Sequence, residues 1–130
     1  MTPSVRAPSL RLPALLAGLV LAAAPGFALA QAPASSLGVR LFNMQCKTCH
    51  GEKSTPAGPT LTGVAGAPIA GRSDYAYSTG LKAKGGTWTD AALDAYLAKP
   101  MAFAPGTRMM VAVPDANNRA AIVAYMKTLK

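Results

Sequence analysis

Five consecutive residues, Cys46-Lys47-Thr48-Cys49-His50, hold both cysteines and the only histidine of the 130-residue chain. That concentration limits what the chain can build around. A structural zinc site needs about four nitrogen or sulfur ligands, and no second ligand pair exists. A thioredoxin-type pair sits at a helix start after a strand, inside a βαβ pattern, whereas the segment ahead of Cys46 has helical periodicity. A plain disulfide is the blander reading for an exported chain, but bridges at this close spacing are mostly of the redox kind. Cys-x-x-Cys followed directly by His is the attachment signature of c-type haem. Two thiols add across the two haem vinyl groups as thioethers, and two intervening residues span the distance between those vinyls. The next residue then lies under the iron, where an imidazole nitrogen can bind axially. The expected cofactor is one haem c, covalent through Cys46 and Cys49, with His50 on the iron.

The amino-terminal region reads as an export signal. Arg6 and Arg11 precede the apolar stretch Leu12–Ala24, and Ala28-Leu29-Ala30 places small residues where a signal peptidase cuts. Pro13, Gly18, Pro25 and Gly26 interrupt the segment, and its unbroken apolar run is shorter than the ~20 residues a spanning helix needs. Two segments are therefore expected: a cleavable signal over 1–30, and one domain over 31–130 with no stable membrane insertion. A domain of that size builds a core with difficulty from side chains alone; an apolar macrocycle would supply the missing centre.

The formal charge of +8 falls to +6 once Arg6 and Arg11 are set aside. No Lys/Arg run with interleaved aromatics favours nucleic acid, so the balance points to acidic protein partners.

Along the remaining chain, Ser35 and Ser36 are N-cap choices for a helix reaching about Lys47, with Leu37, Leu41, Phe42 and Met44 at helical spacing. Residues Gly51–Gly71 form a long Gly/Pro/Thr-rich loop of the kind that is usually functional. A short helix is expected from near Ser78. Thr89 caps a clearer one with the stripe Leu93, Tyr96 and Leu97, which Pro100 ends. A second loop spans Pro100–Pro114. Asp115 opens the last helix, with Ile122, Val123, Tyr125, Met126 and Leu129 as its stripe. The fold class is all-α, with about four or five short helices and long loops around one haem. For the iron's other face no second histidine exists, so methionine is the natural ligand. Met109 lies in the turn-forming Pro105-Gly106-Thr107-Arg108-Met109; Met101 and Met110 remain open by position, and Met44 and Met126 belong with the helix stripes.

From about residue 36 to 130 the chain resembles a class I c-type cytochrome, the small single-haem kind. The matching features come in order: Gly38 and Phe42, Cys46-x-x-Cys49-His50, Gly58-Pro59-x-Leu61-x-Gly63, Tyr77-Ser78, Thr87-Trp88-Thr89, Leu93-x-x-Tyr96-Leu97, Pro100, Pro105-Gly106-Thr107-Arg108-Met109 and Ile122-x-x-Tyr125-Met126. The resemblance implies Met109 as second axial ligand and the Pro59 carbonyl as acceptor for the other ring N–H of His50. It implies a Tyr96 hydroxyl directed at the Met109 sulfur. Tyr77, Trp88 and Thr107 would donate toward the propionates, and Gly38 and Phe42 would meet Ile122 and Tyr125 where the first and last helices cross. Ala67 stands where many relatives carry an arginine that holds a propionate, with Arg72 nearby, and Leu81 replaces a common asparagine. The implied function is one-electron carriage between periplasmic redox proteins by a monomer with no enzymatic activity of its own. The competing expectations are an electron-transfer subunit of a dehydrogenase or sulfur-oxidising complex, a haem sensor or peroxidase-like enzyme with an open sixth position, and a haem-free thiol-disulfide protein.

Overall fold

Short polar side chains fix where the helices begin. The Ser78 hydroxyl accepts from the Leu81 N–H at 3.3 Å, Thr89 from Ala92 at 3.1 Å, and the Asp115 carboxylate from Asn118 at 2.7 Å, each satisfying a donor that the first helical turn leaves unpaired. The structure, a computed structural model, describes residues 36–130. The signal peptide expected over 1–30 and the cap expected of Ser35 lie outside the described residues. In order, the helices are α1 (Ser36–Gln45), α2 (Thr79–Lys84), α3 (Asp90–Ala98), α4 (Pro100–Phe103) and α5 (Ala116–Met126). Apart from the isolated bridges Thr55–Gly58 and Pro68–Thr87, the described residues pair no backbone as strand. The architecture is all-α, as expected. None of the described helices is long and apolar enough to cross a membrane.

Two boundaries differ from the sequence reading. Helix α1 stops at Gln45 rather than Lys47, because the Phe42 carbonyl accepts from both Cys46 and Lys47, at 2.9 and 3.0 Å. The Lys47 bond spans five residues, one more than the α-helical ladder, and the chain leaves the helix there for the turn that carries Cys49 and His50. Pro100 does end α3, leaving Lys99 out of helical geometry at φ −151°, but it also starts the single-turn α4 inside the expected loop. Its fixed φ suits a first helical position, where no N–H is required.

The core gathers Phe42, Leu93, Tyr96, Leu97, Ile122, Val123 and Met126 with Trp88, Leu81 and Val113. The aromatic rings of Phe42 and Tyr125 meet edge to face at 5.1 Å where α1 crosses α5. Gly38 permits that crossing: an added Cβ would run into the Ala121 carbonyl oxygen and lie 3.0 Å from Tyr125 Cβ. Gly38→Ala is therefore expected to lower stability by about 1–3 kcal/mol through overpacking, seen as a fall in melting temperature of the holoprotein. Met44 is not a core residue. It is 74% exposed, because it sits about 200° round the helix from Phe42, on the face turned away from α5.

The loops are tied to this frame at a few points. Gly63 N–H donates to the Leu129 carbonyl and Val113 N–H to that of Leu97, both at 2.8 Å. The Arg119 guanidinium bonds Asp94 at 2.6 Å and the carbonyls of Val113 and Pro114 at 3.1 and 2.7 Å. One α5 side chain thus holds α3 and the end of the Met109 loop together.

Candidate functional site

A cavity of about 370 Å³ lies between the two long loops and the helical core, a size typical of pockets that take a small molecule or cofactor. Its wall is mostly apolar, from Leu61, Val64, Leu81, Leu93, Leu97, Val113 and Met126. Cys46, Cys49, His50, Pro59, Tyr77, Trp88, Tyr96, Thr107 and Met109 all line it, whereas the further ligand candidate Met101 does not.

Cys46 and Cys49 arrive on the turn after α1, the first buried and the second exposed. Burial, with the neighbouring Cys49 adding to it, pushes the Cys46 thiol up to about 11. A thioredoxin-type nucleophile needs the opposite shift. His50 is oriented by its backbone and by its ring. Its N–H joins the Cys46 carbonyl at 2.9 Å, and its Nδ1 lies 2.8 Å from the Pro59 carbonyl oxygen. A carbonyl can only accept, so Nδ1 carries the proton and the Nε2 lone pair is left for a metal. Gly58 makes this approach possible: a Cβ there would lie 2.8 Å from the Cys49 carbonyl oxygen and 3.0 Å from the imidazole Cε1.

Trp88 is pinned to the opposite loop, its N–H donating to the Ala67 carbonyl and its own carbonyl accepting from Gly66, both at 2.9 Å. Its ring stacks on Phe103 and tilts against Tyr96, with centroids 5.8 and 5.1 Å away. Tyr77 is half-buried, and burial foremost holds its hydroxyl above the usual tyrosine value, with Arg72 opposing.

The hydroxyls of Tyr96 and Thr107 pair at 2.7 Å. Thr107, only 5% exposed, meets the Tyr96 hydroxyl and accepts from the Met109 N–H at 3.5 Å. Through Thr107 the Tyr96 hydroxyl is linked to the Met109 loop. Burial raises the Tyr96 hydroxyl above its ordinary value while the Thr107 bond opposes the rise.

Among the methionines, Met101 and Met110 are 49% and 79% exposed and Met126 is 4% exposed in the core. Met109 is half-buried, packs on the core and lines the cavity. Arg72 also borders the cavity, but its guanidinium is engaged by Asp74 at 2.9 and 3.0 Å and by the Thr62 carbonyl at 3.3 Å. That arrangement has no local sequence signal, since Asp74 also takes a 2.9 Å bond from Ser54, twenty residues away.

Two thiols, an imidazole with Nε2 free, a thioether and an apolar wall together fit a covalently held haem. The donor set suits iron in a macrocycle and falls short of a bare metal site.

The sequence model of the Cytochrome c family matches residues 35–130. Similar proteins include a "cytochrome c-type cyt cy" of Rhodobacter capsulatus, 43% identical over 94 residues, covering 71% of this chain and 47% of that protein. The cytochrome c of Tetrahymena pyriformis is 39% identical over 97 residues, 73% of this chain and 88% of the relative. The chain spans about half the length of the Rhodobacter protein. Among solved structures, cytochrome cH from Methylobacterium extorquens superposes with a TM-score of 0.66 at 42% identity, over 71% of this chain and 95% of that one.

Proposed function

The chain belongs to the cytochrome c family, whose members carry covalent haem c, and on that premise we propose that it is a periplasmic one-electron carrier with His50 and Met109 as axial ligands. Bound haem supplies the Fe(III)/Fe(II) couple. Cys46 and Cys49 are its attachment pair. His50 offers Nε2 because Pro59 holds the proton on Nδ1, and this fixed imidazole is the observation that carries the reading. Met109 supplies the second axial group, and a His/Met pair raises the reduction potential. Tyr77, Trp88 and Thr107 would donate toward the propionates, whose charge cannot be buried unpaired. With protein on both axial positions no substrate reaches the iron, so the chain has no enzymatic activity of its own.

Exposed Lys47, Lys53, Lys82, Lys84, Lys99 and Arg108 support partners with acidic docking surfaces, since complementary charge speeds encounter. Two of these cations are already ordered, Lys84 over the Phe103 ring at 4.4 Å and Arg108 over Tyr75 at 5.3 Å. The signal-like segment supports export, and a monomer that neither inserts in a membrane after cleavage nor binds nucleic acid completes the reading.

Potentiometric titration of holoprotein made with the haem-attachment machinery tests it. The expected result is one reversible one-electron wave, with one covalent haem per chain in a pyridine haemochrome assay. An irreversible response or zero covalent haem overturns it.

A further inference from the structure

We propose that Ser54, Asp74 and Arg72 are positioning residues for the axial imidazole: a hydrogen-bonded relay that fixes the Pro59–Thr60 peptide and through it sets the ligand strength of His50. The inference rests on the carrier reading above. One peptide plane carries both ends of the contact. Its carbonyl, from Pro59, accepts from His50 Nδ1–H at 2.8 Å, and its N–H, from Thr60, donates to the Ser54 hydroxyl at 3.1 Å. Rotating that plane would break both bonds together. Ser54, having accepted from Thr60, gives its own proton to Asp74 Oδ2 at 2.9 Å, so the carboxylate fixes the hydroxyl's direction. Arg72 then grips Asp74 through Nε and Nη2 at 2.9 and 3.0 Å, in the fork geometry that suits guanidinium and carboxylate. Its Nη1 reaches the Thr62 carbonyl at 3.3 Å, so the same side chain holds the loop on both sides of the peptide.

The relay has a direction. An anionic acceptor at Asp74 strengthens Ser54 as an acceptor, which polarises the peptide and strengthens the Pro59 carbonyl; hydrogen bonds in chains reinforce one another. A stronger acceptor on Nδ1–H makes the imidazole a better donor at Nε2, as partners of metal-bound histidines do. A better donor favours Fe(III), so the intact relay lowers the potential. Hydrogen bonds from Arg72 and then Ser54 hold the Asp74 carboxyl below its ordinary value, keeping it anionic at neutral pH.

The test uses the holoprotein and its Ser54→Ala, Ser54→Thr and Asp74→Asn variants. Ser54→Ala is expected to raise the midpoint potential and to speed solvent exchange of the His50 Nδ1 proton, followed by NMR in the ferrous state, by about fivefold, the change expected for one weakened hydrogen bond. Asp74→Asn, on the exposed surface, should move both readouts the same way by less, and Ser54→Thr should restore both. A lower melting temperature in Ser54→Ala with potential and exchange unchanged overturns the proposal, since the relay would then only tie loops together. Should Ser54→Ala not fold, Asp74→Asn carries the same two readouts, and no change in either is the contrary result. Failure of the carrier reading shows elsewhere, as a wild type without a reversible couple, and the exchange rate still decides the relay.

Discussion

Replacing His50 with alanine is expected to reduce the yield of haem-bearing protein by about tenfold or more, because here ligand binding and folding are one process. On the proposed ligation the substitution removes the iron's anchor on the attachment side, and it leaves the Pro59 carbonyl without its donor. The larger cost is the centre of the fold. Without haem the apolar wall formed by Leu61, Val64, Leu81, Leu93, Leu97, Val113 and Met126 faces water instead of a packed partner, and a domain is held by only about 5–15 kcal/mol in all. Haem and fold are thus expected to be lost together. Haem absorbance per milligram of purified protein and far-ultraviolet circular dichroism measure both losses, and full haem loading with native helicity would contradict the assignment of His50.

Met109→Ala should act differently. The side chain is half-buried at the cavity wall and not at the centre of the core, so the truncation costs about 1–2 kcal/mol, below the range for a fully buried methionine. Covalent attachment through Cys46 and Cys49 is expected to survive. Loss of the thioether should lower the midpoint potential on the order of 0.1 V or more, given how strongly axial ligands set haem potentials. It should also let the ferrous protein bind CO rapidly. A variant with the wild-type spectrum and potential would move the assignment to Met110, the neighbouring methionine on the same wall.

Much of this fold is legible in the sequence because the signals are local. Ser78, Thr89 and Asp115 cap helices through bonds spanning three residues, and Pro100 stops α3 by its own ring. The haem motif is likewise contiguous, so cysteine and histidine counting was enough to exclude zinc. What escaped is non-local. Met44 shares the helical spacing of Leu37 and Leu41, yet it faces outward because Gly38 and Phe42 turn the other side of α1 to α5. Tyr96 and Thr107 each have a hydroxyl whose partner is set by tertiary packing. The structure pairs them with each other, a contact that neither local sequence carries. Ser54 and Asp74 carry no pattern at all, and only the folding-back of the one long connection between α1 and α2 brings them together. The helical turn at α4 was hidden for another reason: Pro100 ends one helix and begins the next, and the sequence shows only the ending.

The central claim is a closed His50/Met109 site on a covalently attached haem, and the far-red absorption of the ferric holoprotein tests it most directly. The account predicts the sulfur-to-iron band in wild type, its loss in Met109→Ala, and slow CO binding by the ferrous wild type. A wild-type protein without that band, whose ferrous form takes up CO rapidly, would contradict it and make the iron a ligand-binding centre.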